Sequence, residues 1–169
     1  VLGSSMPTWY GGWNNTVSYK NFDLNVFFRF SGGNKIMNAS RQSALFNMDF
    51  SNNGTEILGR WVSPEQPGDG MTPKIGYGDA SSLFNDGYTD SHFVESGNYL
   101  KLSTLALGYT LPKAVVSKLN MTKIRFYVQG QNLLTITGYS GLDPETNSRL
   151  GVDWNGMPQP VSYTHLRAH

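Results

Sequence analysis

Acidic residues near the C-terminal end of the sequence are the first candidates for chemistry. Asp143, Glu145 and Asp153 carry oxygen ligands of the kind that Ca²⁺ binds. Their spacing is not that of a calcium-binding EF-hand, because Pro144 and Thr146 interrupt it and the required glycine and distal glutamate are displaced. An Asp-Pro turn on a solvated loop accounts for the same residues. We therefore predict no metal site.

Pairs of carboxylates and a histidine are the next candidates, because both can act in catalysis. Asp143 with Glu145, or Asp79 with Asp86, could act as a glycosidase pair, but such a pair must stand about 5 to 9.5 Å apart across a substrate cleft. The sequence does not fix that separation. His92 has no serine or cysteine in a nucleophile-elbow motif to complete a triad. We predict that the chain is not an enzyme and needs no cofactor.

The composition narrows the class of protein further. Lysine and arginine number 13 and aspartate and glutamate 12, so the net charge is +1, and no basic cluster could follow a nucleic-acid backbone. There is no cysteine, which excludes disulfide scaffolds and thiolate metal sites. Aromatic residues make up 13% of the 169 residues and glycine contributes 19. This composition is typical of short alternating strands joined by polar loops.

Four strands are predicted from side chains that alternate in polarity. The clearest covers residues 22–30, "FDLNVFFRF", and it follows a strand-like segment at 13–19 after a two-residue turn. Residues 99–109 and the segment from Ile124 to Thr137 form the other two strands, with a short helical turn between them. Each strand has one apolar and one largely polar face. We therefore predict an all-β, antiparallel fold.

A long connection separates the second and third strands. Residues 31–97 lose periodicity and are rich in glycine, proline, asparagine, aspartate and serine. Structureless loops beyond about 15 residues are uncommon in compact domains, so this one is either functional or packs on something outside the chain.

Two architectures remain open from the pattern alone. A soluble sandwich that binds carbohydrate would bury the apolar faces, and a transmembrane barrel would turn them towards lipid.

Several motifs resemble those of one known family. "YKNFDLNVFFRFSGGNKIMN", "NYLKLSTLALGYTLP" and "IRFYVQGQNLLTITGYSGLDPE" are similar, in this order, to the C-terminal strands of SusC/RagA-type TonB-dependent outer-membrane transporters. The shorter elements "PTWYGGW", "GRW" and "GQNL" add to the resemblance, which covers about residues 3–160. It implies an incomplete antiparallel transmembrane β-barrel segment, the last strands of a 22-stranded barrel. In that arrangement residues 31–97 are one long extracellular loop.

The resemblance also implies a function and partners. The chain would be the barrel-wall and loop portion of a nutrient importer for oligosaccharides or peptides in a Gram-negative, Bacteroidetes-like outer membrane. Its partners would be a SusD-like lipoprotein lid, outer-membrane lipid, the substrate and TonB, the last through an upstream plug region absent from this chain. The soluble carbohydrate-binding sandwich remains the alternative.

Two groups of residues are candidates for contact with water, ligand or partner. On the polar faces of the strands, the residues expected to face the lumen are Asp23, Asn25, Arg29, Arg125, Gln129 and Gln131. Aromatic residues of the long loop could contact ligand or lid, although mutual packing within the loop is the role that we favour for Trp61, Tyr77, Phe84, Tyr88 and Phe93.

The last residues depart from the family pattern. Its members typically finish with a strand that begins Arg-x-Tyr-Thr-x-Gly and ends on phenylalanine, whereas this chain ends "PQPVSYTHLRAH". Residues 161–169 lack alternation and resemble a translated adaptor or assembly artefact. We expect residues 1–160 to be the receptor segment, residues 161–169 to be a non-native tail, and both ends of the chain to be truncated.

Overall fold

The computed structural model describes residues 2–45, 52–74, 91–119, 121–145 and 150–168. The chain divides into two compact units. The sheet unit consists of Thr8–Gly32, Asn98–Gly138 and Gln159–His169. The loop unit consists of Val1–Pro7, Gly33–Gly97 and Tyr139–Pro158. Within the described part of the chain, no helix is both long enough and apolar enough to cross a membrane.

The sheet unit is a single antiparallel sheet of five strands. In their order across the sheet they are β1 (Trp9–Tyr19), β2 (Phe22–Gly32), β5 (Tyr99–Thr110), β6 (Ile124–Thr137) and β8 (Ser162–Ala168). The first four are the strands that the alternation predicts, so the predicted antiparallel all-β fold is confirmed.

A two-residue turn joins β1 to β2, as the sequence predicts. Tyr19 pairs directly with Phe22, which leaves only Lys20 and Asn21 in the turn. Lys20 has a φ of 54°, the left-handed conformation that such tight hairpin turns require. The Thr110 amide donates to the Asn21 carbonyl at 2.8 Å and ties the end of β5 to this turn.

The connection from β5 to β6 is also short and partly helical. Helix α1 (Lys113–Val116) is followed by a 3₁₀ turn at Ser117–Leu119, which agrees with the predicted short helical turn. Pro112 precedes the helix, where its missing amide hydrogen costs nothing. The two short connections therefore lie at one end of the sheet, and the two long connections begin at the other end.

Strand β8 differs from what the sequence predicts. Residues 161–169 show no alternation and predict no strand, yet Ser162–Ala168 pairs with β6 in antiparallel register. The free edge of β6 exposes unpaired amide and carbonyl groups, and an extended segment of any sequence can satisfy them. Strand formation here depends on backbone hydrogen bonds. The non-native origin of the tail stays a prediction.

The loop unit contains regular structure that the sequence does not predict. Strands β3 (Lys35–Asn38), β4 (Val94–Ser96) and β7 (Val152–Asp153) form a small sheet in the order β4-β3-β7. Single turns of 3₁₀ helix occur at Thr55–Gly59 and Ser91–Phe93, and a π-helical turn at Arg41–Leu45. Among its described residues, the buried apolar cluster consists of Met37, Ile57 and Phe93, with Val94 and Val152 packed against it.

Candidate functional site

The sheet unit presents an apolar face made of cross-strand rows. In one row Val17, Leu24, Leu107 and Val128 stand side by side across four strands. Trp13 stacks on Phe28 with ring centroids 5.8 Å apart. These side chains form a continuous apolar surface with cross-strand aromatic contacts, each of which adds about 0.5–1.5 kcal/mol beyond its buried area.

This apolar face is exposed. Trp13 is 55% exposed and Ile136 is 58% exposed. Other members of the same face that remain exposed are Trp9, Val17, Tyr19, Phe22, Leu100, Leu105, Leu107, Phe126, Val128 and Leu134. Water-soluble monomers rarely expose a contiguous apolar surface of this extent. The face therefore requires an apolar environment.

The opposite face is polar, and at its hairpin end an ion pair crosses three strands. Arg125 on β6 donates through Nη2 to Asp23 Oδ2 on β2 at 2.5 Å. Gly108 on β5 lies between them, and a Cβ there would come within 2.6 Å of the aspartate oxygens and 2.7 Å of the guanidinium. The absent side chain leaves the space through which the long arginine reaches a strand two places away.

Further polar contacts continue along this face. Asn25 Nδ2 donates to Asn14 Oδ1 and to Thr16 Oγ1, both at 2.9 Å. Arg29 Nε donates to Ser103 Oγ at 2.9 Å. Ser103 is an extra residue on β5, placed where the register with β2 shifts. A β-bulge thus carries the hydroxyl that meets the guanidinium.

The strand register places all six candidate lumen residues on this polar face. They are Asp23, Asn25, Arg29, Arg125, Gln129 and Gln131. Their common face follows from the alternation of side chains along each strand. Their contact with a wet lumen stays a prediction.

Two of the five loop aromatics lie among the described residues. Phe93 is fully buried in the apolar cluster of the loop unit, so in this structure it packs inside the loop. Trp61 is 36% exposed, and the Lys74 ammonium lies 5.8 Å from its ring centroid. Tyr77, Phe84 and Tyr88 lie outside the described residues. Contact of any of the five with ligand or lid stays a prediction.

A network centred on the Glu95 carboxylate connects three distant segments of the loop unit. Ser140 donates to it twice, through its amide at 2.7 Å and its hydroxyl at 2.6 Å. Asn38 Nδ2 donates to Oε1 at 3.3 Å, and Arg41 Nη1 lies 3.5 Å from the same oxygen. No sequence motif marks this network, because its members come from segments about 40 to 100 positions apart that only the fold brings together.

Arg41 pairs mainly with Glu56. Its Nε donates to both oxygens of that carboxylate, at 3.3 and 3.0 Å, and Nη2 donates at 2.5 Å. This hydrogen bonding raises the pKa of the Arg41 guanidinium, although burial opposes the shift. The Arg41 side chain is only 18% exposed, whereas that of Glu56 is 45% exposed. The carboxylate is therefore the member of the pair that faces solvent.

A buried hydrogen bond closes the segment that follows β6. The Tyr139 hydroxyl donates to Asp153 Oδ2 at 2.6 Å, and both residues are buried. The Gly156 amide donates to the other oxygen of Asp153 at 3.1 Å. Burial, reinforced by the neighbouring carboxylate, raises the pKa of Tyr139 far above its ordinary value, so the hydroxyl remains a donor. A Cβ at Gly141 would lie 2.4 Å from the Tyr139 ring, so this glycine is required for close approach.

These residues border a cleft of about 280 Å³ that lies wholly within the loop unit, which we call the loop cleft. Its lining residues are Asn38, Ser40, Arg41, Glu56, Ser140, Gly141, Leu142, Asp153 and Asn155. Ser140, Gly141 and Leu142 thus contribute to the lining of this cleft, and the Tyr139–Asp153 hydrogen bond holds the segment that carries them.

The acidic candidates for metal binding or hydrolysis have structural partners instead. Asp143 Oδ1 accepts from the Glu145 amide at 3.0 Å, the contact expected of an Asp-Pro turn. Asp153 is engaged by Tyr139 and Gly156. Among the described residues, no three histidine or acidic side chains gather closely enough to hold a metal ion. Asp79 and Asp86 lie outside the described residues.

Comparison with known proteins shows that the chain is similar to part of several TonB-dependent receptors. It is 30% identical over 174 residues to TonB-dependent receptor P3 of Formosa agariphila, an alignment that covers 97% of this chain and 16% of that receptor. It is 33% identical over 148 residues to TonB-dependent receptor P26 of the same organism, covering 86% of the chain and 14% of the receptor. TonB-dependent receptor SusC of Bacteroides thetaiotaomicron is 26% identical over 168 residues, covering 90% of the chain and 14% of SusC. No family model matches.

The chain is also similar to solved structures of the RagAB peptide importer. The RagAB peptide importer in its open-open state matches with a TM-score of 0.76 and 26% identity, over 94% of this chain and 16% of the matched chain. Its closed-closed state matches with a TM-score of 0.74 and 25% identity, over 96% and 17% respectively. The chain thus spans about a seventh to a sixth of the length of these relatives. The resemblance predicted from the sequence is confirmed, and so is the β-barrel fold class.

Proposed function

We propose that this chain, which is similar over nearly its whole length to part of the SusC/RagA-type TonB-dependent receptors, forms barrel wall and extracellular loop in an outer-membrane nutrient importer. The single observation that carries the proposal is the exposed apolar face of the sheet unit. In a barrel wall that face meets lipid, and the polar face that holds the Asp23–Arg125 pair meets a wet lumen. Strand pairing satisfies the backbone, as a bilayer requires.

The dimensions of the apolar face support a transmembrane position. An aromatic row of Tyr19, Phe22, Tyr109 and Phe126 lies at the hairpin end, and Trp9 marks the other end by pairing with Gly32. At about 3.4 Å per residue, β2 spans about 34 Å from Phe22 to Gly32. A tilt of about 40° reduces this to a height of about 26 Å, close to the apolar band of outer-membrane barrels of about 25 Å.

The connections of the sheet support an orientation. Short turns of bacterial outer-membrane barrels face the periplasm and long loops face outwards. The β1–β2 turn and the α1 connection are short, whereas the loop unit is built from the long connections. We therefore assign the hairpin end to the periplasm and the loop unit to the outer surface of a Gram-negative, Bacteroidetes-like cell. There it would meet an oligosaccharide or peptide substrate and a SusD-like lid.

Energy coupling would come from elsewhere in the complete receptor. TonB would act through a plug region outside this chain. This chain would contribute the wall and the outer surface. The alternative of a soluble carbohydrate-binding sandwich requires the apolar face to be buried, but Phe126 and Val128 on that face are 43% and 45% exposed. No observation favours that alternative.

Cysteine labelling of neighbouring residues on β6 tests the proposal. The chain contains no cysteine, so Val128→Cys and Gln129→Cys each introduce one thiol into this segment. The variants are made in the complete receptor, freed of any other accessible cysteine, and treated in outer-membrane vesicles with a charged, water-soluble maleimide. We expect labelling at position 129, on the polar face, and protection at position 128, on the apolar face.

Two results would contradict the proposal. Equal labelling at both positions would mean that the apolar face is not in lipid, and labelling of Val128→Cys alone would reverse the two faces. Denatured samples provide the control, because both thiols should then react to the same extent.

A further inference from the structure

The hairpin end of the sheet unit, formed by the β1–β2 turn and the connection from β5 to β6, is basic. Residues 110–124 contain no aspartate or glutamate. The exposed lysines of this end are Lys20, Lys113, Lys118 and Lys123. The end of the sheet that we assign to the periplasm therefore carries an excess of positive charge.

Two of these lysines, Lys20 and Lys113, line one cleft of about 310 Å³ at the hairpin end. Neither ammonium group forms an ion pair within the described part of the chain. Asp23 also lines the cleft, but Arg125 binds its carboxylate. Two cations in one cleft without a carboxylate of their own favour an anionic ligand.

The Lys20 side chain lies on the apolar side of the sheet. Its ammonium is 5.2 Å from the centroid of the Tyr19 ring, and Tyr19 belongs to the exposed apolar face. A lysine stem can cover an aromatic ring while its charged end stays in water. This charge is therefore held at the border between the apolar face and the solvent beyond the turn.

An apolar groove of about 540 Å³ adjoins the cleft, because Phe22 lines both. Further apolar side chains of the groove are Leu107, Tyr109, Phe126 and Val128. The rings of Phe22 and Tyr109 are in contact, with centroids 4.6 Å apart. The groove is continuous with the face that we assign to lipid. A hydrocarbon chain in it would leave the bilayer region only at the two lysines.

A basic cleft joined to an apolar groove suits an amphiphile with a negatively charged head. Lysine is a frequent partner of phosphate groups. Basic residues next to a membrane attract anionic lipids, and aromatic residues are enriched at the same level. A soluble anion would leave the groove unused, and a lipid without net charge would gain less from the lysines.

We propose that the hairpin end binds an anionic phospholipid of the periplasmic leaflet. Its phosphate would lie between Lys20 and Lys113, and one acyl chain would lie along Phe22 and Tyr109. This assignment rests on the proposed function, in which the apolar face meets lipid and the hairpin end faces the periplasm.

Native mass spectrometry of the complete receptor in detergent tests the ligand class. The receptor is titrated with phosphatidylglycerol, with phosphatidylcholine of the same acyl chains, and with glycerol phosphate, which has the anionic head but no chains. One basic residue near an anionic membrane changes affinity about fivefold, so phosphatidylglycerol should bind at least about fivefold more tightly than phosphatidylcholine. Glycerol phosphate should show no measurable binding at the same concentration.

Two double variants locate the site. Lys20→Gln with Lys113→Gln should weaken the binding of phosphatidylglycerol at least about fivefold. Lys35→Gln with Lys74→Gln is the matched control, because it removes the same charge from exposed lysines of the loop unit and should leave the affinity unchanged. Replacing Lys20 and Lys113 with arginine keeps both charges and should preserve binding.

Specific results would overturn the assignment. Equal affinity for the two phospholipids would exclude a role for charge, and binding of glycerol phosphate as tight as that of phosphatidylglycerol would exclude the groove. An unchanged affinity in Lys20→Gln with Lys113→Gln, or an equal loss in the control, would place the lipid elsewhere on the receptor. The cysteine labelling of β6 is independent of these measurements, so failure of the phospholipid site would leave the barrel-wall proposal standing.

Discussion

Replacing Tyr139 with phenylalanine removes one hydroxyl from the interior of the loop unit. That hydroxyl donates to Asp153 at 2.6 Å, and the two residues are 6% and 3% exposed. Water cannot readily replace the donor, so the carboxylate keeps only the Gly156 amide as its other described partner. Leaving a buried acceptor short of a donor costs about 1–3 kcal/mol. We take about 2 kcal/mol as the expected loss of local stability.

Hydrogen exchange converts this loss into a measurable rate. The Met37 amide donates to the Gly151 carbonyl at 2.8 Å where β3 meets β7, so its exchange reports opening of this part of the loop unit. A loss of about 2 kcal/mol raises the open fraction about 30-fold, because about 1.4 kcal/mol corresponds to a factor of ten. The Tyr139→Phe receptor should show that acceleration by mass spectrometry at neutral pH. Amides of β2 and β5 in the sheet unit should exchange at unchanged rates.

The dependence on pH follows from the direction of the Tyr139 shift. Burial raises the pKa of its hydroxyl above the ordinary value of 10.0, so the unfolded state loses the proton first as pH rises. The contribution of the hydroxyl is therefore complete below about pH 10 and declines above it.

Tyr10→Phe is the control, because Tyr10 is 82% exposed. Exchange at Met37 within twofold of the wild-type rate in Tyr139→Phe would refute the claim that this bond holds the segment closed.

Three further outcomes are expected. Gly141→Ala should accelerate exchange in the loop unit and leave the sheet unit unchanged, because the new Cβ would lie 2.4 Å from the Tyr139 ring; unchanged exchange would show that the ring moves freely. Hydrogen bonds from Thr72 lower the pKa of Asp69 below its ordinary value of 3.8, so the Thr72 amide should exchange faster, after correction for intrinsic rates, only as pH falls below that value. Asp69→Asn should abolish this dependence, and its persistence would assign it to another group. The isolated chain should aggregate in water unless detergent covers its apolar face, and light scattering that shows a stable monomer at high concentration would contradict this expectation.

The sheet unit was predictable because its information is local. Alternation in "FDLNVFFRF" fixes which side chains share a face, and the two-residue turn fixes the register of β1 with β2. Pairing in an antiparallel sheet carries the same division to β5 and β6, so six polar residues on separate strands could be assigned to one face. Strand β8 escaped prediction because edge pairing depends on backbone groups, which every sequence has.

The loop unit was not predictable because its contacts join residues that are far apart in the sequence. Strands β3 and β4 are too short to show a period, and β7 pairs with β3 although more than 100 positions separate them. Glu95 becomes informative only once Asn38 and Ser140 are next to it. The segment "TGYSGLDPE" did show its Asp-Pro turn signal, but nothing in it indicated that Tyr139 would reach Asp153.

The two units therefore rely on different interactions, and this difference has a consequence for function. The sheet unit has a polar ion pair whose side chains are 42% and 32% exposed, and such pairs contribute about 0–1 kcal/mol. Its strength comes from backbone pairing and its apolar face. Among its described residues, the loop unit has a buried apolar cluster of three residues, and it depends on the buried polar contact at Asp153 and the partly exposed polar contacts at Glu95. Because polar contacts are directional, they fix the position of the cleft lining more closely than a small apolar cluster can. Substitutions at these two carboxylates should thus alter ligand or partner binding before they alter assembly of the wall.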